Sequence, residues 1–252
     1  MKFFARIIVM ALMFPVAVSA QEKPTGYVGG DVVSRYMWRG QDHGGFTVLP
    51  EASLSWQGIK LDVNGSAAFE NSDYREINLG LHFSRWGFTI GATDYWQTGI
   101  DPNNRYFHIE KRGAHQLEGN IGYECKYFSL MANTIVWGND YKVSGKQAYS
   151  TYIELGIPFR VGGVDWELKA GMTPFESAGT VTKEEAQTVL GKVSYDKYDY
   201  EYAEKVSCVM ASLRATKEID LGFAQLPVFA ELHTNPYLQT ANLLFGVTIS
   251  PF

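Results

Sequence analysis

Residues 148–163 read AYSTYIELGIPFRVGG. Tyr149, Thr151, Ile153, Leu155, Ile157 and Phe159 fall on one parity. Ser150, Tyr152, Glu154, Gly156 and Arg160 fall on the other. A period of two is a strand's period, and it sorts the side chains into an apolar face and a polar face. The run is about eleven residues long, enough for a tilted strand to cross a bilayer.

The same alternation recurs outward from this stretch. Ile59, Leu61, Val63, Ala67 and Phe69 oppose Lys60, Asp62, Asn64, Ser66 and Glu70. Ile77, Leu79, Leu81 and Phe83 oppose Glu76, Asn78 and His82, and Val164, Trp166, Leu168 and Ala170 oppose Asp165, Glu167 and Lys169. About twelve such runs are legible, the first over about 26–38 and the second over 47–56. The connections between them alternate. Odd ones are mostly long and polar, as in RGQDHGGF, QTGIDPNNRYFHIEKRG and the thirty-odd residues from Glu176 to Lys205; even ones are short, as in QG at 57–58 and RVGG at 160–163. Short turns at one end and long loops at the other are the pattern of outer-membrane barrels. The expected fold is therefore all-β: a transmembrane antiparallel up-and-down β-barrel of about 12 strands. The last run, ANLLFGVTISPF, would be its closing strand, with Leu243, Phe245, Val247 and Ile249 facing lipid. Closure is required because hydrocarbon offers no partner to an open sheet edge.

Aromatic residues make up 14% of the chain and gather near strand ends. Trp56, Trp86, Phe88, Phe128, Phe159, Phe223 and Phe252 lie near the short turns. Tyr36, Trp38, Tyr95, Trp96, Trp137, Phe175 and Tyr237 lie near the long loops. Two interfacial girdles are the expected outcome.

Residues 1–20, MKFFARIIVMALMFPVAVSA, have the basic, apolar, small-residue order of a secretory signal peptide. The barrel is expected over 21–252. The chain has 22 basic and 27 acidic side chains; without Lys2 and Arg6, 20 face 27, a charge of −7. That balance argues against a nucleic-acid partner. Cys125 and Cys208 fall near opposite rims and are expected to be unpaired thiols.

Several stretches resemble the TorF-like family of bacterial outer-membrane proteins. They are SRYMWRGQ at 34–41, LPEASLSWQGIKLDVNGSAAF at 49–69 and EINLGLHFSRWGFTIGATDYWQ at 76–97, with a looser match at YIELGIPF and VDWELKAGMT. The resemblance implies a barrel in the outer membrane, in contact with its lipid, while the terminal aromatic Phe252 resembles the signal read by the barrel-assembly machinery. The family resemblance implies no substrate.

The polar parity is expected to line a lumen: Arg35, Glu51, Asp62, Glu76, His82, Glu118, Glu154, Arg160, Glu167, Lys169, Arg214, Glu231 and His233, among amides such as Asn64, Asn78 and Asn120. Acids outnumber bases there, which suits a weakly cation-favouring route for small solutes; the alternative is a plug of mutually satisfied ion pairs. His233 and Glu231 share the inner face and are expected to pair. His115 falls on the lipid parity near a rim. No phosphate-binding loop, zinc-like ligand spacing or G-x-S-x-G occurs, so no cofactor, metal or catalytic residue is assigned. The function expected is a non-catalytic outer-membrane barrel offering a narrow pathway or binding site for small solutes. An outer-membrane hydrolase or acyl-modifying enzyme working at the external rim, and a soluble periplasmic barrel for apolar ligands, are the alternatives.

Overall fold

Fourteen strands form in the computed structural model, which describes residues 23–69, 75–98, 103, 105–142, 144–178, 206–222 and 224–250. The expected signal peptide, Phe223, the terminal Pro251–Phe252 and residues 179–205 lie outside the described residues. In chain order the strands are β1 (Thr25–Val33), β2 (Met37–Trp38), β3 (Gln41–Asp42), β4 (Thr47–Trp56), β5 (Ile59–Ala68), β6 (Arg75–Arg85) and β7 (Phe88–Gln97). They continue with β8 (His115–Glu124), β9 (Ser129–Gly138), β10 (Thr151–Val161), β11 (Val164–Thr173), β12 (Ser207–Asp220), β13 (Gln225–Asn235) and β14 (Thr240–Ile249).

Twelve of these strands close a barrel in which every strand pairs antiparallel with its sequence neighbour, and β2 and β3 form a separate hairpin. The seam joins the first strand to the last, with Gly30 opposite Ile249 and Val33 opposite Gly246. The expected closing role of the terminal stretch is therefore observed. Leu243, Phe245 and Ile249 of β14 point outward, and Leu244 points in.

Two-residue turns set the register at one end. Gln57–Gly58 and Trp86–Gly87 both have positive φ at both positions (51° and 83°, 54° and 84°), the conformation that matches the twist of a β-hairpin. Strands of about ten residues, rising ~3.4 Å each and tilted, give a wall roughly 25 Å tall.

The polarity of the barrel is inverted relative to a soluble domain. Apolar side chains on the outer face are open, as at Leu61 (56% exposed), Leu81, Ile90, Ile121 and Leu243. Polar ones on the inner face are buried: Asp62, Glu76, Asn78, Thr93, Glu118, Asn120 and His233.

One stretch departs from expectation. The first strand ends at Val33, not near residue 38. The chain then turns into the barrel, and β2 and β3 cross the mouth at the long-loop end. Val33, Leu49, Phe229 and Leu244 form an apolar patch on the inner wall, and Tyr36, with Met37 and Trp38, packs on it. Burial of that patch pulls the segment inward instead of letting it extend the wall. The second girdle is thus incomplete. Tyr36, Trp38 and Tyr95 face the lumen, while Trp56, Trp86, Phe88 and Phe159 remain as an outward aromatic rim at the turn end.

Candidate functional site

The hairpin tip, Arg39–Gly40, has φ of 50° and 86° and reaches across the lumen. Arg39 donates to Glu118 of β8 from both terminal nitrogens, at 2.5 and 3.0 Å. Its guanidinium lies between the rings of Trp38 and Tyr152, 4.5 and 4.9 Å from their centroids. Glu118 also accepts from Tyr95 Oη (3.1 Å) and Asn120 Nδ2 (2.7 Å) and is 1% exposed. A carboxylate so buried is stable only when its oxygens are satisfied this way. On the opposite wall Gly40 N–H donates to His233 Nε2 (3.2 Å), and Asn235 Nδ2 donates to Gly40 O. A side chain at position 40 would put its Cβ 2.0 Å from Val209 O. Since Nε2 of His233 accepts, Nδ1 carries the proton and donates to Glu231 Oε1 at 2.8 Å. The expected His233–Glu231 pair exists as a neutral imidazole hydrogen-bonded to a carboxylate.

Below the hairpin the lumen divides. On the side of β10–β13 charged side chains crowd it. Arg214 lies over the Phe229 ring (3.5 Å) and 3.4 Å from Asp31, and Lys169 stands 3.6 Å from Glu154 and 3.4 Å from Glu167. Tyr152 donates to Glu154 at 2.8 Å. On the side of β4–β7 a cavity of about 480 Å³ remains. Trp38, Tyr36 and Tyr95 form its ceiling, Asp62, Asn64, Asn78 and Thr93 its wall, and Ser84 and Thr89 its lower edge near the turns. Lys60 donates to Glu51 there at 2.9 Å, and His82 Nε2 stands 3.6 Å from Asp62 Oδ1. Room for these side chains comes from neighbouring glycines: a Cβ on Gly91 would fall 2.2 Å from His82 Nδ1, and one on Gly80 2.6 Å from Asp62.

The lumen-facing residues read from sequence are therefore separated into groups. Glu51, Asp62 and His82 line the cavity. Glu76 is buried and accepts from Tyr36 Oη at 2.6 Å. Glu118, Glu231 and His233 anchor the hairpin, and Glu154, Glu167, Lys169 and Arg214 crowd the other half. Two lie elsewhere. Arg35 sits in the bend after β1 and pairs with Asp42 at the hairpin base. Arg160 keeps inner parity but lies at the turn rim, 70% exposed, 3.5 Å from Asp165. The hairpin itself escaped the parity reading, although Val33, Leu49, Phe229 and Leu244 on the polar parity were its trace.

His115 also differs in surroundings from the expected rim position. It keeps the outward parity but is 2% exposed, because the loop at 105–114 folds over it. Nδ1 is 2.8 Å from Asp94 Oδ2 and Nε2 is 2.6 Å from Tyr106 O. Both ring nitrogens are engaged within the fold. Among the described residues no group of three or more His, Cys, Asp or Glu is arranged to hold a metal.

No family model matches the chain, and no curated protein matches it. A solved structure described as "Unveiling the Mechanism Behind the in-meso Crystallization of Membrane Proteins" aligns with 89% of this chain and 83% of its own, at 11% identity and a TM-score of 0.44. Similarity at that level says nothing further about this chain.

Proposed function

We propose that this chain is a non-catalytic barrel of the bacterial outer membrane, of the kind the TorF-like resemblance implies, and that its lumen binds small polar solutes below a hairpin gate. The carrying observation is the inverted wall, apolar outside and polar within. A continuous apolar band around a closed barrel far exceeds the few hundred Å² a soluble monomer ordinarily exposes. Acyl chains are its natural solvent, and the outward Trp56, Trp86, Phe88 and Phe159 suit the boundary with lipid headgroups. The expected orientation puts the short turns in the periplasm and the hairpin at the external mouth.

The seated hairpin favours binding, or gated passage, over a permanently open pore. His115 and His233 have both ring nitrogens committed, and the described geometry holds no nucleophile against either, which disfavours the hydrolase alternative. The test is fractionation and reconstitution. The mature chain should need detergent, migrate faster before boiling than after, and give small, infrequent conductance steps in planar bilayers. A monodisperse, detergent-free protein would overturn the reading.

A further inference from the structure

One acceptor in the cavity lining has no partner among the described residues. Asn78 is 4% exposed, and its Nδ2 donates to Asn64 Oδ1 (2.9 Å) and Glu76 Oε1 (3.3 Å). Asn64 Nδ2 in turn donates to Asp62 Oδ2 at 3.2 Å. This directional chain ends on carboxylates, so the amide of Asn78 cannot be turned round: its oxygen would then meet two acceptors. Asn78 Oδ1 is buried with no hydrogen-bond partner among the described residues, on a side chain that lines the cavity. A buried acceptor left unpaired costs about 1–3 kcal/mol, so the position is built for a donor from outside.

Most surrounding donors are engaged, and His82 stands 3.6 Å from Asp62. Lys60 holds Glu51, Thr93 Oγ1 donates to Asn120, and the Tyr36 and Tyr95 hydroxyls donate to Glu76 and Glu118. What remains unmet is the acceptor Asn78 Oδ1, in the same lining as Asp62 and the aromatic ceiling. A primary ammonium brings three donors, one positive charge and no acceptor, and aromatic faces attract it further. A carboxylate or phosphate would face Asp62 and Asn78 Oδ1 with like polarity. A cavity of about 480 Å³ holds a small ligand easily.

We infer that the cavity takes small primary ammonium compounds, the ammonium donating to Asp62 and Asn78 Oδ1 beneath Trp38 and Tyr95. The inference deepens the solute-binding reading and rests on solute reaching the lumen, not on the lipid outside it.

Calorimetric titration of the purified barrel with putrescine, and with butanediol as its uncharged counterpart, tests it. Putrescine should bind at least tenfold more tightly than butanediol, and tetramethylammonium, which lacks N–H, should bind more weakly than putrescine. Asp62→Asn and Asn78→Leu should each weaken putrescine roughly tenfold, while Asn78→Asp, which retains an acceptor, should keep or tighten it. Equal binding of diamine and diol by the wild-type chain overturns the inference, and this arm needs no variant to fold. So does unchanged putrescine affinity in Asp62→Asn. Detergent dependence is scored on the same sample. A detergent-dependent barrel that ignores putrescine sinks this inference alone, and a soluble one that binds it sinks only the membrane reading.

Discussion

Arg39, at the tip of the inward hairpin, and Glu118, on the wall of β8, are joined by two hydrogen bonds although 79 residues apart in sequence. The pair ties a loop to the far side of the barrel. Removing one partner leaves the other charge buried without compensation, which costs about 3–5 kcal/mol. Arg39→Ala should therefore release the hairpin, and the reconstituted protein should pass more current than wild type. Arg39→Met with Glu118→Leu should lose less stability than the two single changes summed, because neither leaves an orphan charge. Bilayer conductance and unfolding in denaturant read the two effects separately.

Gly40 gives an independent handle on the same element. Its φ of 86° is poorly open to side-chain-bearing residues, and a Cβ would sit 2.0 Å from Val209 O. Backbone strain of this kind costs roughly 1–3 kcal/mol. Gly40→Val should unseat the hairpin while leaving the barrel closed, since no wall strand includes residue 40. Faster hydrogen exchange confined to residues 34–46, with wall strands unaffected, is the expected signature.

The wall was legible in the sequence because a single rule generates it. Leu61 against Asp62, Leu79 against Asn78 and Leu155 against Glu154 each state the same choice between outside and inside, and neighbouring strands repeat it. Parity assigns a side, however, and says nothing about what covers it. His115 obeys its outward parity and is still buried, because the loop just before its strand folds onto it. Tyr36 and Trp38 read as the end of a strand because their aromatic spacing matches a girdle. Their inward turn depends on Phe229 and Leu244, about two hundred residues along the chain, which carry the apolar patch they cover. The cavity was less legible still, since it is what the Arg214, Phe229 and Lys169 cluster leaves unfilled on the other side of the lumen.

Leu155 faces outward and is 40% exposed, next to inward Glu154. In a bilayer, an Arg on the lipid face near mid-depth costs about 2–4 kcal/mol, and near the interface about 0–1. Leu155→Arg should thus impair assembly, whereas Val161→Arg, at the turn-end rim of the same strand, should be tolerated. Glu154→Gln should assemble normally. The amount of folded protein recovered in the membrane fraction checks all three. Equal tolerance of Arg at 155 and 161 would contradict a lipid-facing wall.

Tyr106 has its phenol pushed above the usual value of 10.0, by burial first and the Asp94 carboxylate second. A group held more protonated in the folded state contributes stability that is fully present below its unfolded value and is lost as pH rises through the raised one. The loop at 105–114 should therefore stay seated at neutral pH and loosen only in strong alkali. In Tyr106→Phe that alkaline loosening should disappear, as followed by hydrogen exchange or limited proteolysis of the loop.

The Asp94–His115 pair beneath that loop should respond asymmetrically to mutation. Tyr106 O can only accept, so His115 Nε2 carries a proton. The 2.8 Å contact between Nδ1 and Asp94 Oδ2 then needs one further proton, held by either atom, and the pair is neutral overall in both cases. Asp94→Leu leaves a neutral imidazole with an unpaired acceptor, a cost of about 1–3 kcal/mol. His115→Leu leaves a carboxylate on the outward face of β7, only 30% exposed and without its partner. Stranding a charge there costs more, about 3 kcal/mol, at the lower end of the range for buried pairs because some solvent still reaches Asp94. The double substitution should cost less than the two singles together. Denaturant midpoints of the four proteins measure these differences; strictly additive losses would mean that Asp94 and His115 stabilise the loop separately.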